Sequence, residues 1–169
     1  HEDPRRQRQM CIRDRLTANA LRGLESAPIR RQAERLRTAV FRHIRNKGLS
    51  TGFASATETA KSKAGDCSEH AVLLVAMLRS AGIPARGATG LVYVEGYQGA
   101  PHAFGWHMWT QALVDGVWVD LDATLPRAYD AAHLLTATTP LDGATMDRDI
   151  SGLLQLMGDL DITIREEGS

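Results

Sequence analysis

Cys67, His107 and Asp122 are the side chains in this sequence whose types and spacing could together do covalent chemistry. A cysteine attacks as its thiolate, and negative charge gains from the unpaired N–H groups and the dipole at a helix start. Asp66, with Glu69 three residues on, has the spacing of a helix cap, so a helix is expected to begin at about Cys67. The acidic charges of Asp66 and Glu69 work against a thiolate, which makes a protonated histidine nearby the decisive partner. A buried, inert core thiol is the alternative fate for Cys67. Gly65 beside it would let a backbone or a substrate come close.

His107 and Asp122 are tied together by a turn. Asp115-Gly116 is a strong two-residue hairpin signal, and it pairs Val114 with Val117. Continuing that ladder puts Trp109 opposite Asp122, and His107, two positions from Trp109, shares its face. His107 and Asp122 are then diagonal neighbours, with backbones about 7–8 Å apart and side chains able to meet. Asp120 shares the face but lies one diagonal further off, so the spacing prefers Asp122. A carboxylate holding one ring nitrogen leaves the other free to move a proton, which is the logic of a nucleophile–base–orienter triad. Read blandly, His107 is a satisfied sheet histidine and Asp122 a turn residue ahead of Pro126.

The elements that must position these groups follow from periodicity. From Pro28, apolar residues recur at Ile29, Ala33, Leu36, Val40 and Ile44, one face of a helix stopped by Gly48. Ser55-Ala56-Thr57-Glu58 matches a capping box and opens a short helix ending near Ala64. The Cys67 helix is apolar on nearly every side from Ala71 to Leu78 and ends at Gly82 and Pro84, as a central buried helix would. Strands are expected at Arg86–Val94, Trp106–Val114 and Val117–Leu121, with a Gly- and Pro-rich loop over 95–105. Beyond Pro126 a short helix near Ile150–Met157 and a strand at Ile162–Arg165 complete the expectation. Helices first and an antiparallel sheet after make an α+β domain, with the Cys67 helix packed on the sheet.

Composition fits one such domain, with 43% hydrophobic and 24% charged residues in 169. The apolar run Ala71–Leu78 is too short for a membrane span, and no signal-peptide pattern opens the chain. Residues 1–47 hold 13 Lys+Arg against 5 Asp+Glu. No aromatic residues interleave with these arginines to stack on bases, so a solvated helix face is preferred to nucleic-acid binding. The two cysteines, Cys11 and Cys67, form no disulfide framework. The string Gln9-Met10-Cys11-Ile12-Arg13-Asp14-Arg15 reads as translated adapter sequence. Residues 1–15 are therefore set aside as non-native or disordered, and 16–169 are taken as a single domain. A chain that begins with His1 is also expected to be a piece of a longer one.

Four motifs in order, Gly65-Asp66-Cys67-Ser68-Glu69-His70, Ala81-Gly82-Ile83-Pro84-Ala85-Arg86, Trp106-His107-Met108-Trp109 and Trp118-Val119-Asp120-Leu121-Asp122-Ala123-Thr124, resemble the core of the transglutaminase-like superfamily over residues 50–126. The resemblance implies a papain-like α+β fold and assigns the nucleophile to Cys67, the histidine to His107 and the aspartate to Asp122. It also implies a bacterial protein, cytoplasmic or of the cell envelope, often with further domains in a longer parent chain. Ala123 departs from the family, where proline commonly follows the aspartate.

The expected chemistry is acyl transfer from a peptide or isopeptide amide through a Cys67 thioester, most simply resolved by water as in a peptidase or amidase. An amine acceptor would make the same triad a protein cross-linking transglutaminase. The substrate is a peptide or protein and no cofactor is called for. The backbone N–H of Cys67 would be one oxyanion donor, and Trp106 and Trp109 would wall the acyl site. Two rivals remain: a non-catalytic binding module with the same fold, and a zinc site built from Cys67, His70, His102 and His107.

Overall fold

The chain is described here by a computed structural model covering residues 4–48, 54–97, 100–126 and 129–141. Helices α1 (Pro4–Leu21), α2 (Ile29–His43), α3 (Ala56–Ser62) and α4 (Cys67–Ser80) precede strands β1 (Ala85–Tyr97), β2 (Ala100–Val114), β3 (Val117–Leu121) and β4 (His133–Thr139). The strands form one antiparallel sheet in the order β3-β2-β1-β4. This is the α+β architecture expected, with the cysteine-bearing helix against the sheet.

The core lies between α2, α4 and one sheet face. Leu36, Val40 and Ile44 meet Leu73, Leu74, Met77 and Leu78, and the cluster is closed by Ala112, Val114 and Leu121. Thr110 is on the same face as Ala112, and its hydroxyl donates to the Ala71 carbonyl of α4. His107, Trp109 and Gln111 alternate to the other face of β2. Strand β2 therefore does two jobs: its even-numbered residues here build the core and its odd-numbered ones build the site.

Both expected capping boxes are present, Ser55 with Glu58 and Asp66 with Glu69. Helix α2 ends at His43, earlier than Gly48. Ile44 is extended, and the N–H groups of Arg45 and Asn46 both donate to the Lys63 carbonyl in a short bridge to the stretch before α4. That pairing satisfies backbone groups that another helical turn would have used.

The hairpin turn has two central residues with positive φ, Asp115 at 51° and Gly116 at 81°, as a tight twist-matched turn requires. It pairs Val114 with Val117, and the ladder runs on to Gln111 opposite Asp120 and Thr110 opposite Leu121.

Three features differ from the sequence reading. Residues 95–97 and 100–105 are strand, not loop: Val94 pairs with Ala103, Glu95 with His102 and Tyr97 with Ala100. β4 pairs with β1 only over Gly87–Val92, and β3 reaches only Thr110 of β2. Among the described residues the tip of β1–β2 is therefore a two-stranded ribbon with no third strand on either edge, where glycine and proline do not break a ladder. Residues 4–15 are helical, as part of α1, and Ile12, Leu16 and Ala20, spaced by four, pack on the core. Strand β4 was not anticipated. The helix expected near Ile150–Met157 and the strand at Ile162–Arg165 lie outside the described residues. No helix among the described residues is long and apolar enough to cross a membrane.

Candidate active site

Cys67 is the first residue of α4 and is partly buried. The cap around it uses up most of the helix-start donors. Asp66 Oδ1 accepts Ser68 N–H and Ser68 Oγ–H, both at 2.8 Å, and the Asp66 carboxylate also takes Glu69 N–H. Glu69 in turn accepts Asp66 N–H at 2.9 Å and Ala54 N–H at 2.8 Å. Burial raises the Glu69 carboxyl above its ordinary range, against those backbone donors. The N–H of Cys67 itself has no acceptor among the described residues. Gly65 has a local reason to be glycine, different from substrate approach: a Cβ there would lie 2.3 Å from the Glu69 Cβ.

The imidazole of His107 sits between sulfur and carboxylate. Its Nε2–H donates to Asp122 Oδ2 at 2.8 Å, and the Cys67 side chain is near enough to the ring to raise its basicity; Nδ1 is the nitrogen not engaged by Asp122. Burial alone would lower the basicity of His107. The hydrogen bonds to Asp122 and Cys67 outweigh it and raise the ring to about 9. Burial likewise pushes Asp122 up, but donors from His107, His133 and Thr124 hold its carboxyl well below the ordinary carboxylate range. Asp122 is a buried anion, its side chain 1% exposed, and such a charge persists only when hydrogen-bonded on every side.

Its backbone is held too. Arg37 of α2 donates from Nη1 to the carbonyls of Asp122 and Leu125, and Lys47 Nζ donates to the Thr124 carbonyl at 2.8 Å. The segment after β3 is thereby fixed to α2 although it has no regular structure of its own.

The two tryptophans differ. Trp109 is 1% exposed, stacks on His107 with ring centroids 6.1 Å apart and gives its indole N–H to Asp120 Oδ1 at 2.8 Å. It backs the imidazole and offers no open wall to a substrate, contrary to the sequence expectation. Asp120, the carboxylate passed over for the triad, is instead the acceptor for Trp109 and Gln111. Trp106, half-buried and opposite Leu91, points to the other face of β2.

The four residues of the zinc reading do not gather. His70 Nδ1–H donates to the Asp66 carbonyl at 2.6 Å, and His102 pairs with the Tyr93 hydroxyl. The cluster of metal-ligand type among the described residues is a different one, His107, Asp122 and His133, with donor atoms within 4.8 Å of one another. There both ring nitrogens face the carboxylate as N–H donors, whereas a metal would need their lone pairs bare.

His133 was missed in the sequence, as were Gly90, which brings its strand close, and Arg37. Three threonines in Thr136-Ala137-Thr138-Thr139 are the β-forming signal that would have marked β4.

A helical layer lies on an antiparallel sheet, with a cysteine at a helix start and a hydrogen-bonded histidine–carboxylate pair on the sheet. The family model of the transglutaminase-like superfamily matches residues 15–123, and the chain belongs to that superfamily. Among solved structures the chain is similar to a "Putative Cysteine Protease" from Cytophaga hutchinsonii, with 25% identity, a TM-score of 0.59, and overlap of 78% of this chain but 44% of that one. Legionella pneumophila LapG superposes with a TM-score of 0.56 at 16% identity, over 85% of this chain and 84% of LapG. A TGase structure gives 0.52 at 11% identity, over 77% and 36%. The last two likenesses speak for the fold alone. No curated protein matches the sequence.

Proposed function

We propose that the protein is a thiol hydrolase of peptide or isopeptide amides, with Cys67 as nucleophile, His107 as general acid and base, and Asp122 as the residue that orients His107. The observation that carries this reading is the 2.8 Å bond of His107 Nε2 to Asp122 Oδ2, with Cys67 close enough to the same ring to raise its basicity. An imidazole that keeps its proton to about 9 offers a neighbouring sulfur a counter-charge at neutral pH.

The steps follow from these positions. Cys67 sulfur adds to the amide carbonyl carbon and the carbonyl electrons move to oxygen. The free Cys67 N–H is one donor for that oxyanion. Collapse reforms the carbonyl and expels the amine, which takes the proton from His107 Nδ1. Water then adds to the thioester while Nδ1 accepts its proton, and breakdown releases the acid and restores the sulfur. Asp122 stays ionised throughout and stabilises the imidazolium. Trp106 keeps accessible surface but lies on the opposite face of β2 from His107, so neither tryptophan is assigned to the acyl pocket.

Hydrolysis is preferred to cross-linking because it asks for no dedicated amine site. Incubation with a peptide library, with and without added primary amine, and mass analysis of intact protein and products tests this. The expected result is an acyl adduct on Cys67 and hydrolysed peptide; amide products formed in preference to acid would make the enzyme a transferase. No adduct and no turnover with wild type, under conditions where Cys67→Ala folds normally, would sink the reading.

A further inference from the structure

Asp122 carries two imidazoles on one oxygen. Oδ2 lies 2.8 Å from His107 Nε2 and 3.2 Å from His133 Nε2, while Oδ1 accepts Thr124 N–H at 2.7 Å. A carboxylate gripped by a single donor can pivot about its own side-chain bond. One gripped at both oxygens, from β2, from the 122–126 segment and from β4, has its plane fixed, and the plane decides where His107 aims.

His133 is built to hold that position. Its side chain is 0% exposed, its Nδ1 lies 3.3 Å from both the Oδ1 and the carbonyl oxygen of Asp130, and it packs between the rings of Tyr129 and Trp109, with centroids at 4.4 and 5.3 Å. It reaches Asp122 across β1, and β1 is shaped for that reach. His133 pairs with Val92, the β1–β4 register slips between Thr89 and Gly90, and Gly90 is also the residue opposite His107. A Cβ on Gly90 would lie 1.9 Å from the Leu134 carbonyl oxygen and 3.0 Å from the Trp109 ring. The strand thus lacks a side chain at the place where β4 must come close and where Trp109 supports His107.

We propose that His133 is a positioning residue for the proposed reaction: by donating Nε2–H to Asp122 Oδ2 it fixes the carboxylate in the orientation that points His107 Nδ1 at Cys67. This rests on the triad reading above and extends it to a fourth side chain, contributed by a strand outside the matched family region.

The test compares two amides of different reach. Gln at position 133 can bring an N–H to where Nε2 stands, whereas Asn stops short, near the place of Nδ1; both keep a polar group in the same cavity. The probe is iodoacetamide, and the readout is the alkylation rate of the Cys67 peptide by mass spectrometry at about pH 6, where a free thiol hardly reacts. Following that peptide keeps Cys11 out of the measurement. His133→Asn should lower the rate by about 10–100-fold, the usual cost of losing a residue that orients a reactive one. His133→Gln should recover most of the loss, and the downfield N–H proton signal of His107 should persist in Gln and vanish in Asn. Equal rates in Gln and Asn, or a wild-type rate in Asn, would overturn the positioning role and leave the triad standing. A wild-type rate no greater than that of His107→Ala would overturn both.

Discussion

Nε2 of His107 and Oδ2 of Asp122 stand 2.8 Å apart because the Asp115-Gly116 turn sets the register of β2 and β3. The pair is therefore a product of strand alignment as well as of side-chain attraction. Asp122→Asn keeps the size of the side chain and removes the charge, so His107 can settle in the wrong tautomer. Turnover should fall by about 10³–10⁴-fold with weak residual activity, as for the equivalent change in other triads. Steady-state rates on the most responsive library peptide measure this; a loss below about tenfold would mean that Asp122 does not orient the base.

Gly90 makes a sharper structural prediction. The atom that its Cβ would strike, the Leu134 carbonyl, belongs to the backbone and cannot swing aside. Gly90→Ala should destabilise the protein by about 1–3 kcal/mol, the usual cost of overpacking. Gly105 is the control, since a Cβ added there would meet nothing within 4 Å, and Gly105→Ala should stay within about 0.5 kcal/mol of wild type. Urea unfolding midpoints of the two variants decide it, and equal midpoints would count against the close approach of β4.

Much of the geometry behind the proposed triad could be read from the sequence because its supports are local. The helix start at Cys67 is written in Asp66 and Glu69, and the His107–Asp122 pairing in a two-residue turn and the alternation of a strand. His133 has no such local signature. It meets Asp122 only because β4 crosses to the far side of β1, and that placement depends on a bulge at Gly90 that no periodicity announces. Trp109 was misassigned for a related reason: sharing a face with His107 is legible, but whether that face is open or covered depends on Tyr129 and His133. Gly96 and Pro101 suggested a loop because glycine and proline weaken strands inside a sheet, and among the described residues the ribbon they occupy has no third strand beside it.

The stability of the protein should depend on pH through His107. Its proton is held to about 9 in the folded chain, against about 6.5 for an unfolded histidine. The extra stability is then fully present below about pH 6.5 and is lost as pH rises through 9, on the order of 3 kcal/mol. The groups facing the ring are Asp122, Cys67 and, across Asp122, His133. Thermal unfolding of wild type and His107→Gln between about pH 6 and pH 10 should show a gap that closes at the alkaline end; a gap constant in pH would refute the raised basicity.

Arg37 offers the last prediction, and it concerns backbone rather than side-chain chemistry. The residue is on the buried face of α2, where its Nε donates to Glu34 at 3.0 Å and its Nη1 reaches the carbonyls of Asp122 at 3.3 Å and Leu125 at 3.2 Å. A planar guanidinium can serve the acid and both carbonyls at once; an ammonium, with one point of charge on a flexible stem, cannot span them. Arg37→Lys should therefore cost about 1–3 kcal/mol, as expected when buried acceptors lose their donors. It should also lower turnover more than it weakens substrate binding, because Asp122 shifts while the acyl pocket does not. Unfolding free energy together with kcat and KM separates the two effects. A variant that loses stability yet keeps the wild-type kcat would show that the 122–125 segment holds its shape without the arginine.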